Sequence, residues 1–153
     1  MNHVLRAVTA ADYPWLWALK RETMRPYVEQ TWGGWEEKVQ EEFFRRNFVP
    51  ANMRAIVIDG HDAGLLNVER GPSEVFLANI QIAPAYQNRG VGTAVVRGVM
   101  AEAHAAGLPV RLQVLKANRP ARRLYERLGF LVTEQTGTHC HLRAPVPLAH
   151  FHS

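Results

Sequence analysis

Apolar and polar positions change rhythm several times along this chain, and each change marks an element. Residues 3–7 read as a short strand. Thr9 and Asp12 then form a capping-box-like helix start, with Pro14 tolerated in the first turn. That helix is expected to run to about Val28, and Gly33-Gly34 breaks the pattern. A second helix is expected from near Trp35, where Trp35, Val39 and Phe43 recur at i, i+4 and i+8 and predict one buried stripe. Glu36, Glu37 and Glu41 fall off that stripe. Pro50 closes the helical section.

Residues 55–59, 65–69 and 75–82 then read as three strands. Asp59-Gly60-His61-Asp62 and Arg70-Gly71-Pro72-Ser73 join them as turns short enough for antiparallel hairpins. Val91, Val95 and Val99 share one face of a third helix, which stops at Gly107. Residues 110–115 are the next strand. A fourth helix is expected to bury Ala121, Leu124 and Leu128, with a Schellman-type ending at Gly129-Phe130. Residues 130–135 and 138–143 form a last hairpin, and Pro145 and Pro147 introduce a tail. The order β-α-α-β-β-β-α-β-α-β-β contains no repeat. It describes an α/β (α+β) chain with one domain over residues 1–145 and a tail over 146–153.

Composition narrows the class of protein. A chain of 153 residues with 47% hydrophobic and 21% charged residues is ordinary for a globular domain with one core. No apolar run approaches the ~18 residues needed to cross a bilayer, and no signal-peptide pattern opens the chain. A single cysteine, Cys140, leaves no internal disulfide and fits a reducing compartment, so a cytoplasmic location is expected. The formal charge of +4 would suit nucleic acid. Its distribution argues against that partner: Arg89, Arg97, Lys116, Arg119, Arg122 and Arg123 gather in or beside two particular segments, while residues 36–42 are acidic.

The first of those segments is Gln87-Asn88-Arg89-Gly90-Val91-Gly92, between a strand and a helix. A Gly-rich turn that opens a helix presents free backbone N–H groups at a positive dipole end, which suits a phosphate or pyrophosphate. A Cβ at Gly90 or Gly92 would obstruct close approach of such a ligand. The second segment runs Asn118-Arg119-Pro120-Ala121-Arg122-Arg123-Leu124-Tyr125-Glu126-Arg127-Leu128-Gly129-Phe130.

Together the two segments resemble the acyl-CoA-binding and acid-catalysis motifs of the GCN5-related N-acetyltransferase superfamily. The first matches its Gln/Arg-x-x-Gly-x-Gly/Ala signature, the second its Asn-x-x-Ala-x-x-Leu-Tyr-x-x-Leu-Gly-Phe run. The resemblance spans residues 77–130. It implies a mixed central sheet of about six to seven strands with splayed fourth and fifth strands, and about four helices. It further implies transfer of an acetyl group from acetyl-CoA to a primary amine by direct attack in a ternary complex, without a metal.

Carried over by position, the backbone of Ile80 and Ile82 would pair with the pantetheine arm, and the Ile82 N–H would polarise the thioester carbonyl. Gln87, Asn88, Arg89, Gly90, Val91, Gly92 and Thr93 would hold the pyrophosphate. Tyr125 would be the general acid, its phenol uncharged at a reference pKa near 10; its bland alternative is a packed core ring. Asn118 would hydrogen-bond pantetheine or orient a water, or else cap the fourth helix. A lysine-like amine is protonated at pH 7, so a base is needed. Glu69 is the candidate for that role, with Glu29 and Glu36 as others; solvated surface carboxylates are the plain alternative.

The segment from Tyr27 through Val28, Glu29, Trp32, Trp35 and Glu36 to Glu37 corresponds to the acceptor wall of that superfamily. Rings interleaved with carboxylates suit a cationic amine; the plain alternative is that Trp32 and Trp35 pack two helices together. The run resembles a bacterial subgroup with Tyr-Val-Glu-Gln-Thr-Trp-Gly-Trp, from which this chain departs at Gly34. His139 is a further candidate to face the acceptor. His139, His141, His150 and His152 lack zinc-type spacing, and Cys140 lacks a visible base partner. The partner expected from this resemblance is a small-molecule or peptide amine, with no nucleic acid or membrane expected, and the chain is expected to be a monomer or homodimer. The rival readings are a non-catalytic acyl-CoA sensor of the same fold and a transferase for a longer acyl group.

Overall fold

The computed structural model of the protein describes residues 2–148. Its strands are β1 (Val4–Ala7), β2 (Met53–Ile58), β3 (His61–Arg70), β4 (Val75–Ile82), β5 (Val110–Leu115), β6 (Leu131–Gln135) and β7 (His139–Ala144). The helices are α1 (Tyr13–Trp32), α2 (Glu37–Arg46), α3 (Val91–Ala105) and α4 (Arg119–Arg127). The strands hydrogen-bond in the order β1-β2-β3-β4-β5-β7-β6, with β4 and β5 parallel. This is the mixed sheet and four-helix layout expected from the sequence. No helix among the described residues is long and apolar enough to cross a membrane.

The chain divides into two compact units: residues up to Asn67 together with Asn79–Val91, and Val68–Ala78 together with the described residues from Gly92 onward. In the first, Thr9 and Asp12 make the expected capping box, around a 3-10 turn that leads into α1. The Asp12 carboxylate also accepts from Arg6 and from the Trp15 indole. The core gathers Leu16, Trp17 and Leu19 of α1 and Phe44 of α2 with Met53, Ala55 and Leu65.

The stripe expected of α2 is not the one it buries. Phe44 is 5% exposed, whereas Val39 and Phe43 are 57% and 53% exposed. The helix starts at Glu37 with Glu36 as its N-cap, so Trp35 lies outside it and sets no phase for the turns that follow. Trp35 instead stacks on Trp17, ring centroids 6.1 Å apart. Between β3 and β4, a Cβ at Gly64 would collide with the Gln81 carbonyl, so only glycine permits this approach.

In the second unit, β5 pairs antiparallel with β7, and β7 with β6, as the expected terminal hairpin. Val95 and Val99 of α3 are buried as the spacing predicts. The apolar positions of α4 are a correction: Ala121, Leu124 and Leu128 are only half-buried, and Tyr125 is the buried residue. Its ring meets Phe130 edge-on at 5.6 Å and takes the inward position expected of the aliphatic stripe. The Schellman ending is present, with Phe130 N–H donating to the Tyr125 carbonyl and Gly129 N–H to that of Glu126.

The β4–β5 ladder is two pairs long, Val75↔Val110 and Phe76↔Arg111. Within the second unit, residues 77 and 78 of β4 add no further pair to that ladder.

Candidate active site

The loop after β4 is shaped by two left-handed residues. Pro84–Tyr86 forms a 3-10 turn, Asn88 has φ 61° and Gly90 has φ 79°. Asparagine is one of the few residues with a Cβ that enters this region readily, and glycine enters it without penalty. Left-handed residues interleaved with right-handed ones are the backbone pattern from which concave anion sites are built. The first N–H groups of α3, from Val91, Gly92 and Thr93, have no carbonyl four residues back to receive them. Arg89 lies between the two left-handed residues.

The Gln87 side chain does something the sequence does not announce. Its amide Nε2 donates to the Ile82 carbonyl at 2.9 Å, tying the loop back to the end of β4. A Gln five residues beyond a strand end carries no recognisable signal for such a tie. Ile80 and Ile82 are half-buried on β4.

Tyr125 is 7% exposed, and burial pushes its phenol up to about 12. Asn118 caps α4, its Oδ1 accepting from the Ala121 N–H at 3.3 Å. The capping alternative is therefore realised, and the side-chain nitrogen is the part of Asn118 left to meet a ligand. A Cβ at Gly92 would touch the Leu124 side chain at 3.7 Å, an ordinary contact.

The aromatic and acidic segment divides between packing and a cavity. Trp35 is held by Trp17 and donates to Glu37 at 2.7 Å, so it belongs to the core edge. Trp32 is 58% exposed and Tyr27 half-buried. Glu29 pairs with Arg25 at 3.4 Å. A cavity of about 460 Å³ opens between the end of α1 and the start of α2, lined by Val28, Trp32, Gly33, Gly34, Glu36, Val39 and Gln40. The acceptor-wall segment read from the sequence includes Val28, Trp32 and Glu36 but passes over Val39 and Gln40. The Gly33-Gly34 break is the available signal.

The remaining candidates are more dispersed. Glu69 is exposed near the end of β3. His139 is half-buried, its Nδ1 2.8 Å from the Thr138 hydroxyl. Burial first, and then the neighbouring His141, depress its pKa. Cys140 is fully buried, with Arg122 donating to its sulfur at 3.2 Å. No metal-binding cluster occurs among the described residues, while His150 and His152 lie outside them.

The acetyltransferase (GNAT) family model matches residues 14–130. The chain therefore belongs to this family of transferases. Solved structures agree in fold. A PaiA N-acetyltransferase from Thermoplasma acidophilum, solved in complex with coenzyme A, is 17% identical with a TM-score of 0.74, over 95% of this chain and 99% of its own. The ribosomal-protein-S18-alanine N-acetyltransferase of Escherichia coli is 20% identical with a TM-score of 0.68, over 96% of each chain. An acetyltransferase from Thermus thermophilus is 19% identical with a TM-score of 0.71, over 95% of this chain and 97% of its own.

Proposed function

We propose that this chain is an acetyl-CoA-dependent N-acetyltransferase acting on a primary amine by direct attack in a ternary complex. The observation that carries the reading is the loop with Asn88 and Gly90 left-handed, delivered at the N-terminus of α3. Backbone amides and the helix dipole together suit a pyrophosphate. Coenzyme A is the bound ligand of the Thermoplasma relative. When bound, acetyl-CoA supplies an acetyl group activated as a thioester.

Gln87, Asn88, Arg89, Gly90, Val91, Gly92 and Thr93 hold the pyrophosphate through their N–H groups. Ile80 and Ile82, near the end of β4, offer backbone groups to the pantetheine amides. The Ile82 N–H donates to the carbonyl oxygen as negative charge grows on it. One such donor is worth ~3–4 kcal/mol in the transition state. The Asn118 side-chain nitrogen donates to the pantetheine.

Tyr125 keeps its proton throughout the physiological range, because burial raises its pKa. A thiol near 8.5 is the stronger acid of the two in water. Tyr125 therefore acts chiefly as a hydrogen-bond donor to the departing sulfur, and its removal slows turnover without abolishing it. The amine loses its proton to a base, for which Glu69 is the candidate through a chain of water. Tyr27, Glu29, Trp32, Glu36 and His139 are assigned to the acceptor side, while Trp35, stacked on Trp17 and hydrogen-bonded to Glu37, packs the core edge behind them.

The test is stabilisation of the protein by acetyl-CoA, CoA and longer acyl-CoAs, with thiol release followed across an amine panel. Acetyl-CoA should raise the melting temperature progressively with its concentration, as mass action requires. Absence of any shift near millimolar ligand overturns the assignment of the loop.

A further inference from the structure

The cavity between the end of α1 and the start of α2 has a definite chemical character. Its apolar wall is made by Val28, Trp32 and Val39, and its polar groups are Glu36 and Gln40. Among the described residues, no Lys or Arg lines it. The carboxylates around it differ in their commitments. Glu29 is ion-paired with Arg25 at 3.4 Å. Glu37 is held by Arg21 at 2.9 Å and by the Trp35 indole at 2.7 Å. The Glu36 side chain makes no ion pair or hydrogen bond among the described residues, and it is exposed at the N-cap of α2. One uncommitted carboxylate therefore shares the cavity with three apolar side chains.

Resting on the amine-acceptor reading above, we infer that the acceptor is a monocationic amine on an apolar body, such as an arylalkyl or branched alkyl amine. Its ammonium meets Glu36, and its body lies against Val28, Trp32 and Val39. The volume of about 460 Å³ suits a small molecule. A polyamine or amino sugar is disfavoured because its further cations would lose water against apolar side chains without a carboxylate to receive them. Ring-face attraction from Trp32 adds to the selectivity for a cation carried beside an apolar group.

The test measures binding and turnover side by side, with phenethylamine and spermidine as probes on the full chain. Calorimetry in the presence of CoA should show phenethylamine binding about tenfold or more tightly than spermidine. Glu36→Gln should weaken phenethylamine about tenfold, and Val39→Ser about threefold. Both side chains are exposed, so neither change threatens the fold. Tighter binding of spermidine, no binding of phenethylamine, or unchanged binding in both variants overturns the inference. If amines are acetylated with a KM indifferent to both variants, the cavity assignment falls while N-acetyl transfer stands. If phenethylamine binds in a Glu36-dependent way but is never acetylated, the cavity assignment stands and the transferase reading falls.

Discussion

The side-chain amide of Gln87 donates a 2.9 Å hydrogen bond to the carbonyl of Ile82. The same isoleucine is assigned the N–H that polarises the thioester, so one side chain fixes both the start of the phosphate loop and the end of β4. Gln87→Ala should leave stability within about 1 kcal/mol, the worth of one exposed hydrogen bond. It should weaken acetyl-CoA binding about tenfold, measurable by calorimetry. Unchanged affinity would show that the loop holds its shape without the tie.

Gly90 and Gly92 should separate under substitution. Gly90 sits at φ 79°, with open space around a built Cβ, so its constraint is conformational. Gly90→Ala should destabilise the fold by ~1–2 kcal/mol in denaturant titration. Gly92 has no such φ and offers a Cβ an ordinary contact at 3.7 Å. Gly92→Ala should fold normally and lose only affinity for acetyl-CoA. Equal stability losses in the two variants would contradict this division.

Tyr125→Phe should lower kcat by about 10²-fold while acetyl-CoA binding persists. Because burial holds the phenol near 12, the pH–rate profile of the parent enzyme should show no descending limb from this residue across the physiological range. Turnover equal to that of the parent would return Tyr125 to a packing role beside Phe130.

Lys20 gives a pH signature of its own. It is buried over the rings of Phe43 and Phe44, at 4.7 and 5.6 Å, and burial lowers its pKa from 10.5 to about 8. Between those values the unfolded chain holds a proton that the folded chain has released. Stability should therefore rise as the pH climbs from about 8 to 10.5. Lys20→Met should flatten that rise and raise the melting temperature at pH 7. An identical pH dependence in the variant would refute the assignment.

The strands and the capping box were legible because they are local. Val75–Ile82 and Val110–Leu115 stand where their apolar runs begin and end, and Thr9 with Asp12 announced the capping box. The phase of α2 was not legible. Its helical turns begin after Trp35, and the burial of Phe44 in place of Phe43 is decided by what α1 and β2 present to it, which no window of local sequence contains. For the same reason Tyr125 displaced the aliphatic residues of α4 from the inward position: Phe130 receives its ring from beyond the helix. At the candidate site, the cavity walls at Val39 and Gln40 depend on how two helices meet at Gly33-Gly34, which the spacing of residues along either helix does not state.

Acetyl transfer itself is decided by mass-spectrometric detection of acetylated amine formed from acetyl-CoA, with free CoA thiol counted in the same reaction. One acetylated product should appear per thiol released, with turnover lost when the amine is omitted and reduced about 10²-fold by Tyr125→Phe. Saturable binding of acetyl-CoA with neither thiol nor product formed from any amine in the panel would contradict the assignment of this chain as an N-acetyltransferase.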